Sequence, residues 1–249
     1  MNIDFNGKKV LVTGAGKGIG RSLCVALCEG NADVYALSRT QSDLDNLQKE
    51  CPNIHCILAD LQNFADVREK LSELPNDITL LVNNAGYAKL EHFLDVTEEA
   101  FDTIMNINVK AMLIVSQIMA KKMISNKCGG SIVNVSSQAS MTALPLHTAY
   151  CTSKGAVDQL TRMMALELGP HRIRVNAVNP TVVLTDMGKL AWSDPKTGDP
   201  MKKQIPQGKF AEVKDVVHPI LYLLSEKSDM INGVMLPVDG GFLATKTLK

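Results

Sequence analysis

The 249-residue chain has no excess of either charge, since 26 Lys and Arg balance 26 Asp and Glu. Nucleic-acid binding in bulk needs a basic field that displaces counterions, so the balance speaks against it. No apolar run approaches the roughly 20 residues that span a bilayer, and no transmembrane segment is expected. The six cysteines, at 24, 28, 51, 56, 128 and 151, follow no disulfide rhythm and include no C-x-x-C pair. Buried structural thiols are expected, with no metal site. Asp4 and Asn6 interrupt the N-terminus, against a signal peptide. A reduced, cytoplasmic setting is the reading that follows. No Pro-, Gly- or Ser-rich linker, charge run, repeat or low-complexity segment divides the chain. The expectation is one domain over residues 1–249, with enough apolar residues, 45%, for a large core.

What is present is an alternation. Short apolar, β-branched runs lie at Val10–Thr13, Val34–Ser38, Ile54–Leu58, Thr79–Asn83, Ser131–Ser136, Arg174–Asn179 and Val234–Val238. Between them run segments of helical period: Arg21–Glu29, Leu44–Glu50, Ala65–Leu74, Glu98–Ser125, Ala149–Leu168 and Val213–Leu224. Continuous apolar strands separated by helices predict an α/β fold with a doubly wound, seven-stranded parallel sheet. Ligands of such sheets bind beyond the carboxyl ends of the strands. The segments there are Gly14–Gly20, Arg39-Thr40, Asp60-Leu61, Asn84–Gly86, Ser136–Gln138 and Pro180–Thr185.

Gly14, Gly18 and Gly20 form G-x-x-x-G-x-G between the first strand and the first helix, with Ile19 inside the loop. Glycines let backbone N–H groups approach phosphate oxygens, and the helix start presents its positive end to a pyrophosphate. A nucleotide-triphosphatase loop, G-x-x-x-x-G-K-[ST], has no match. NAD-preferring folds carry an acid at the end of the second strand for the ribose 2′-hydroxyl. This chain has Ser38-Arg39-Thr40, and Asp43 lies further on, in the expected first turn of a helix. Arg39 offers a planar fork for a 2′-phosphate, and Lys17 reaches toward the same place from the first loop. Two cations and no strand-end carboxylate favour NADP(H). The alternative is that both are ordinary solvated charges.

Tyr150 and Lys154 form Y-x-x-x-K, which puts both on one helix face. An ammonium there favours the phenolate and lowers a tyrosine pKa, making Tyr150 a usable acid or base. The motif is weak alone, with about 0.3 chance matches expected in this chain. Its company gives it weight. Ser137, thirteen residues upstream at a strand end, is placed to hold a carbonyl oxygen beside Tyr150. Asn108 sits inside the long Glu98–Ser125 helix, an unfavourable place for asparagine. Its side chain is read as supporting a water that links to Lys154. The alternative is an exposed polar residue.

The set Gly14-x-x-x-Gly18-x-Gly20, Asn83-Asn84-Ala85-Gly86, Asn108, Ser137 and Tyr150-x-x-x-Lys154 resembles the short-chain dehydrogenase/reductase family. The motifs stand in family order over nearly the whole chain. The resemblance implies a single Rossmann domain, a homotetramer, and a catalytic group of Asn108, Ser137, Tyr150 and Lys154. It implies that Asp60 and Leu61 contact the adenine, and that Asn83, Ala85 and Gly86 line the cofactor site with Thr40. Val183 and Thr185 would grip the carboxamide, and Lys154 would also hold the nicotinamide ribose.

Longer stretches, among them "MALELGPHRIRVNAVNPTVV" and "LPVDGGF", are similar to members of that family that reduce ketose sugars and α-dicarbonyls with NADPH. By position Gln138, His147 and Trp192 match residues lining their substrate pocket. Trp192 lies in a Pro- and Gly-rich stretch, 186–206, expected to be a mobile lid; the lid as a whole is placed at approximately 186–209. The alternative is that His147 is a loop residue without substrate contact and Trp192 a residue packing on the domain. "LTDMGK" and the apolar Ala143–Leu146 loop resemble instead carbonyl reductases of broader range, acting on aliphatic, aromatic or steroid ketones. A non-catalytic NADP-binding regulatory protein is the alternative of a different class. Asn134-Val135-Ser136 matches a glycosylation sequon but falls in an expected buried strand.

Overall fold

The computed structural model describes residues 3–244, apart from the side chains of Met187, Leu190 and Ala191. Its centre is one sheet of seven strands: β1 (Lys9–Thr13), β2 (Asp33–Ser38), β3 (His55–Leu58), β4 (Leu80–Asn83), β5 (Gly130–Val135), β6 (Ile173–Pro180) and β7 (Met235–Val238). Their spatial order is β3-β2-β1-β4-β5-β6-β7, and every neighbouring pair is parallel. The chain reverses its direction of winding between β1 and β4. That is the switch point where open parallel sheets leave a crevice. Val12 stands opposite Val82, and Asn83 opposite Asn134, so the carboxyl ends of β1, β4 and β5 finish nearly level.

Helices cover both faces: α1 (Gly18–Glu29), α2 (Gln41–Glu50), α3 (Phe64–Ser72), α4 (Glu98–Met105), α5 (Ala111–Ser125), α6 (Thr148–Leu168), α7 (Asp186–Trp192), α8 (Pro195–Lys202) and α9 (Val213–Leu224). Strand alternation divides the core. Val10 and Val12 join Leu23, Leu44 and Ile220 under α1, α2 and α9. Leu11 points the other way, to Val67, Val115 and Met164 under α3, α5 and α6. Both faces being covered explains why the strands read as unbroken apolar runs.

Helix α1 starts at Gly18, at the glycine loop, where the pyrophosphate reading needs it, ahead of the helical period that begins at Arg21. Two features add to expectation. The segment Glu98–Ser125 is one helical run with a fault, since residues Asn106–Lys110 form a π-helical segment between α4 and α5. An apolar period does not register such a one-turn bulge, which often marks a functional site. The expected lid contains two short helices, α7 and α8, started by Thr185 and Asp194, whose side chains accept from the Gly188 and Lys196 N–H groups. The run Glu98–Ser125 is also long and apolar enough to cross a membrane, but 56% of its most apolar window is buried inside the fold. That is the position of a core helix.

Candidate active site

The site forms where β1, β4, β5 and β6 end. Thr13 closes β1, and its hydroxyl accepts the N–H groups of Asn84 and Ala85 at 3.1 and 3.2 Å. Asn84 Nδ2 donates to the Thr13 and Gly14 carbonyls, both at 3.0 Å. The loops after β1 and β4 are thereby locked together. Gly14 and Gly18 have φ of +65° and +56°, a region that favours glycine. A Cβ on Gly14 would meet Ala85 Cα at 2.8 Å, and one on Gly20 would collide with the Gly14 carbonyl and the Asn84 amide. The loop is therefore held open at the start of α1, whose first N–H groups have no side-chain cap. These are the properties a pyrophosphate site needs. Thr185 stands across from the loop, with its Cγ2 at 3.0 Å from where a Gly18 Cβ would be.

At the end of β2, Arg39 is exposed and makes no ion pair among the described residues. Lys17 is 69% exposed in its side chain, and its Nζ lies 3.7 Å from Asp43 Oδ2. Asp43 is in the first turn of α2, as expected, but it is not remote. It shares the neighbourhood of Lys17 and Ser38, and a Cβ on Gly16 would touch both Ser38 and Asp43. Lys17 is thus partly neutralised, while Arg39 presents a full charge. Asp60, at the exposed end beyond β3, uses one carboxylate oxygen to accept the Gln62 N–H at 2.9 Å. Leu61, Asn83 and Ala85 line a small gap with Thr13 and Ile107.

Beyond β5, the Ser137 hydroxyl accepts the Ala139 N–H at 3.1 Å, which leaves its proton free to donate. Ser137 hydrogen-bonds with Tyr150, one of three influences on the phenol. Burial, the largest, pushes the Tyr150 pKa up, the Ser137 hydrogen bond opposes it, and Cys151 adds to the rise. Lys154 is 3% exposed, and its Nζ donates to the Val135 carbonyl at 2.8 Å. The ammonium stands 5.6 Å from the centre of the Tyr150 ring. Desolvation brings its pKa down to about 8, with Asp158 pulling the other way. One sequence expectation is corrected here. Burial, the largest influence, outweighs the Ser137 hydrogen bond and raises the tyrosine pKa rather than lowering it.

Asn108 lies in the π-helical segment, fully buried. Its Oδ1 accepts the Tyr87 N–H at 2.8 Å, and its Nδ2 donates to the Tyr87 carbonyl at 3.0 Å and Ser153 Oγ at 2.9 Å. Its amide protons are both used within the protein. The side chain is a bracket between the loop after β4 and α6. Its place beside Lys154 stands, because a Cβ on Gly86 would lie 3.6 Å from both Asn108 Oδ1 and Lys154 Nζ. Gly86 keeps that space free of side chain.

The family comparison bears on this arrangement directly. Residues 8–196 match the model of the short chain dehydrogenase family. The chain belongs to that family. It is 56% identical over 245 residues to the L-xylulose reductase of Mus musculus, covering 98% of this chain and 100% of that one. It is 48% identical over 245 residues to carbonyl reductase [NADPH] 2 of Sus scrofa, with 98% and 100% covered. Among solved structures it is similar to a putative 2-deoxy-d-gluconate 3-dehydrogenase from Agrobacterium tumefaciens with bound NADP. The TM-score is 0.91 at 28% identity, covering 98% of this chain and 99% of that one.

In this short chain dehydrogenase the expected substrate residues do not all stand alike. Gln138 is 2% exposed, adjoins Ser137, and leaves its Oε1 without a partner. His147 precedes α6, its ring 6.0 Å from that of Tyr150. Its Nδ1 lies 2.6 Å from the Pro145 carbonyl, so in the neutral ring Nδ1 carries the proton and Nε2 is an acceptor. Trp192 packs edge-on against Phe210, at 6.4 Å between ring centres. With Met201, Ile205, Phe242, Leu144 and Val182 it forms a separate small core. Leu144 belongs to the loop before Tyr150, so the 186–209 segment and that loop meet there. Val183 is buried, and the carbonyl of Val183 accepts the Thr185 N–H at 2.7 Å.

Several residues of the site escape sequence reasoning. Tyr87 and Ser153 are the partners of Asn108, and Asn179 bonds the Ser137 carbonyl. Leu146 has φ of +66°, uncommon for a bulky side chain, and its carbonyl accepts the Glu91 N–H at 3.0 Å. Only Ser153, between Tyr150 and Lys154, had a signal in the sequence, by its place in the motif.

Proposed function

We propose that this protein is an NADPH-dependent carbonyl reductase that converts L-xylulose to xylitol and also reduces α-dicarbonyls. The observation that carries it is the Ser137–Tyr150–Lys154 group at the sheet's carboxyl edge, beside a glycine loop and an exposed Arg39 with no ion pair among the described residues. The cofactor, when bound, supplies hydride to the carbonyl carbon. The loop from Gly14 to Gly20, with Ile19, receives its pyrophosphate. Arg39, Lys17 and Thr40 hold the 2′-phosphate side. Asp60 and Leu61 face the adenine, and Asn83, Ala85, Gly86, Val183 and Thr185 line the path to the nicotinamide. Ser137 orients the carbonyl oxygen, Tyr150 gives it a proton, and Lys154 holds positive charge beside the phenol. Asn108 fixes the loop that carries Tyr87 against α6. Gln138 Oε1 and His147 Nε2 offer acceptors to substrate hydroxyls, and Trp192 closes the lid.

A second reading is favoured by one observation. The loop over the site is apolar at its surface, with Met141 41% and Leu146 38% exposed. Such a rim suits aliphatic, aromatic or steroid ketones. The test is NADPH oxidation with L-xylulose, diacetyl and a steroid ketone, repeated with Tyr150→Phe. The first reading expects L-xylulose and diacetyl to be turned over and the variant to be inactive with NADPH still bound. A preference for the steroid ketone supports the second reading. No carbonyl-dependent oxidation of NADPH would leave a non-catalytic NADP-binding protein.

The same proposal includes a homotetramer in the cytoplasm, with the chain folded as one domain over 1–249 and a lid at approximately 186–209. Self-association is supported by Leu113, Met163 and Leu166, large apolar residues exposed on α5 and α6. The compartment is supported by six free thiols. Light scattering of the purified protein reads the assembly.

A further inference from the structure

One buried acid has no role in the chemistry above. Asp158 is 4% exposed and lies four residues after Lys154 on α6, which places both on one face of the helix. Both of its carboxylate oxygens are 3.1 Å from Asn179 Nδ2. The same Asn179 amide nitrogen lies 3.1 Å from the Ser137 carbonyl and 2.9 Å from Ser140 Oγ. Ser140 Oγ in turn donates to the Ser137 carbonyl at 2.7 Å. Asn179 is fully buried, near the end of β6. A carboxylate in this position costs several kcal/mol unless charge or hydrogen bonds compensate it.

We propose that Asp158 is a positioning residue for carbonyl reduction: its carboxylate holds Asn179 against the Ser137 turn and supplies the counter-charge that keeps Lys154 an ammonium beside Tyr150. The inference rests on the reading of Tyr150 and Lys154 given above. The two functions use different parts of the group. The oxygens grip the amide, and the amide fixes the backbone of the serine that meets the carbonyl. The charge acts through the helix on Lys154, one turn away. On α6 the ionisable neighbours of Lys154 are Tyr150 and Asp158, with Cys151 beside Tyr150. Its neighbours from β5, the π-helical segment and the loop after β4 are the Val135 carbonyl, Ser136, Asn108 and Gly86, which do not ionise. Asp158 is therefore the acid that balances it.

The experiment compares kcat against pH, with saturating NADPH and diacetyl, for wild type, Asp158→Asn, Asn179→Ala and Tyr150→Phe. Asp158→Asn removes the charge in nearly the same shape. Its alkaline limb should move down by about one pH unit, as loss of a nearby opposite charge predicts. Asn179→Ala cuts the link to Ser137, so kcat at the optimum should fall about tenfold, with a smaller shift of the limb than in Asp158→Asn. Should the asparagine variant not fold, Asp158→Ser, neutral and smaller, gives the same readout. An unmoved limb in the neutral variant overturns the proposal, whatever happens to its melting temperature. Turnover retained by Tyr150→Phe would instead overturn the underlying reading, so the two failures are told apart.

Discussion

The Lys154 ammonium lies 5.6 Å from the centre of the Tyr150 ring and gives a hydrogen bond to the Val135 carbonyl at 2.8 Å. The pair is thus coupled by proximity and not by a direct bond between Nζ and the phenol. Lys154 is the group whose charge is easily lost, since burial brings it down to about 8. Carbonyl reduction should fall as pH rises through that value, because the positive charge beside the phenol disappears. A kcat profile that stays level to pH 10 would contradict this role.

The same burial has a sign in stability. Between about 8 and the ordinary lysine value of 10.5, the unfolded chain keeps a proton that the folded chain has released. Stability from this group therefore rises with pH across that window. Lys154→Met should lack the rise. Urea midpoints at pH 8 and 10 should show wild type gaining about 2 kcal/mol relative to the variant.

Arg39 and Lys17 should differ in weight. Arg39 has no ion-pair partner among the described residues, whereas Lys17 lies 3.7 Å from Asp43. Arg39→Ala should weaken NADPH binding about tenfold and leave NADH nearly unchanged. Lys17→Ala should cost less, about threefold, since an exposed and shared charge contributes little. Asp43→Asn should tighten NADPH by freeing Lys17. Fluorescence titration with both cofactors measures all three.

Leu146 offers a test of strain. Its left-handed backbone costs a leucine about 1–2 kcal/mol, and its side chain is 38% exposed. Leu146→Asn keeps the turn with a residue that tolerates it. The variant should be more stable by about 1 kcal/mol, or 2–4 °C in Tm for a chain of this size. A lower Tm would mean that contacts of the leucine outweigh the strain.

The fold was legible because its signals are local and repeated. Each strand lies within a residue or two of its apolar run, and α9 matches its helical stretch, Val213–Leu224. Gly14, Gly18, Tyr150 and Lys154 could be picked out because their spacing falls in register with the strands and helices around them. The rest depends on contacts between distant segments. That Asn108 bonds Tyr87 and Ser153 needs the π-helical bulge, which a hydrophobic period cannot register. That Asp43 meets Lys17 needs the crossing of two loops, and the Asp158–Asn179–Ser137 chain joins a helix, a strand and a turn. The lid helices were hidden by proline and glycine, though Pro195 stands at a helix start, where proline is tolerated.

Trp192 has one more consequence. It is the only tryptophan in the chain, and its ring rests on Phe210 in the small core that joins the lid to the loop before Tyr150. Indole emission from this protein therefore comes from a single place. Any motion that parts the 186–209 segment from the domain would change the surroundings of that one ring, so the molecule carries its own optical gauge of such a motion, read without a label.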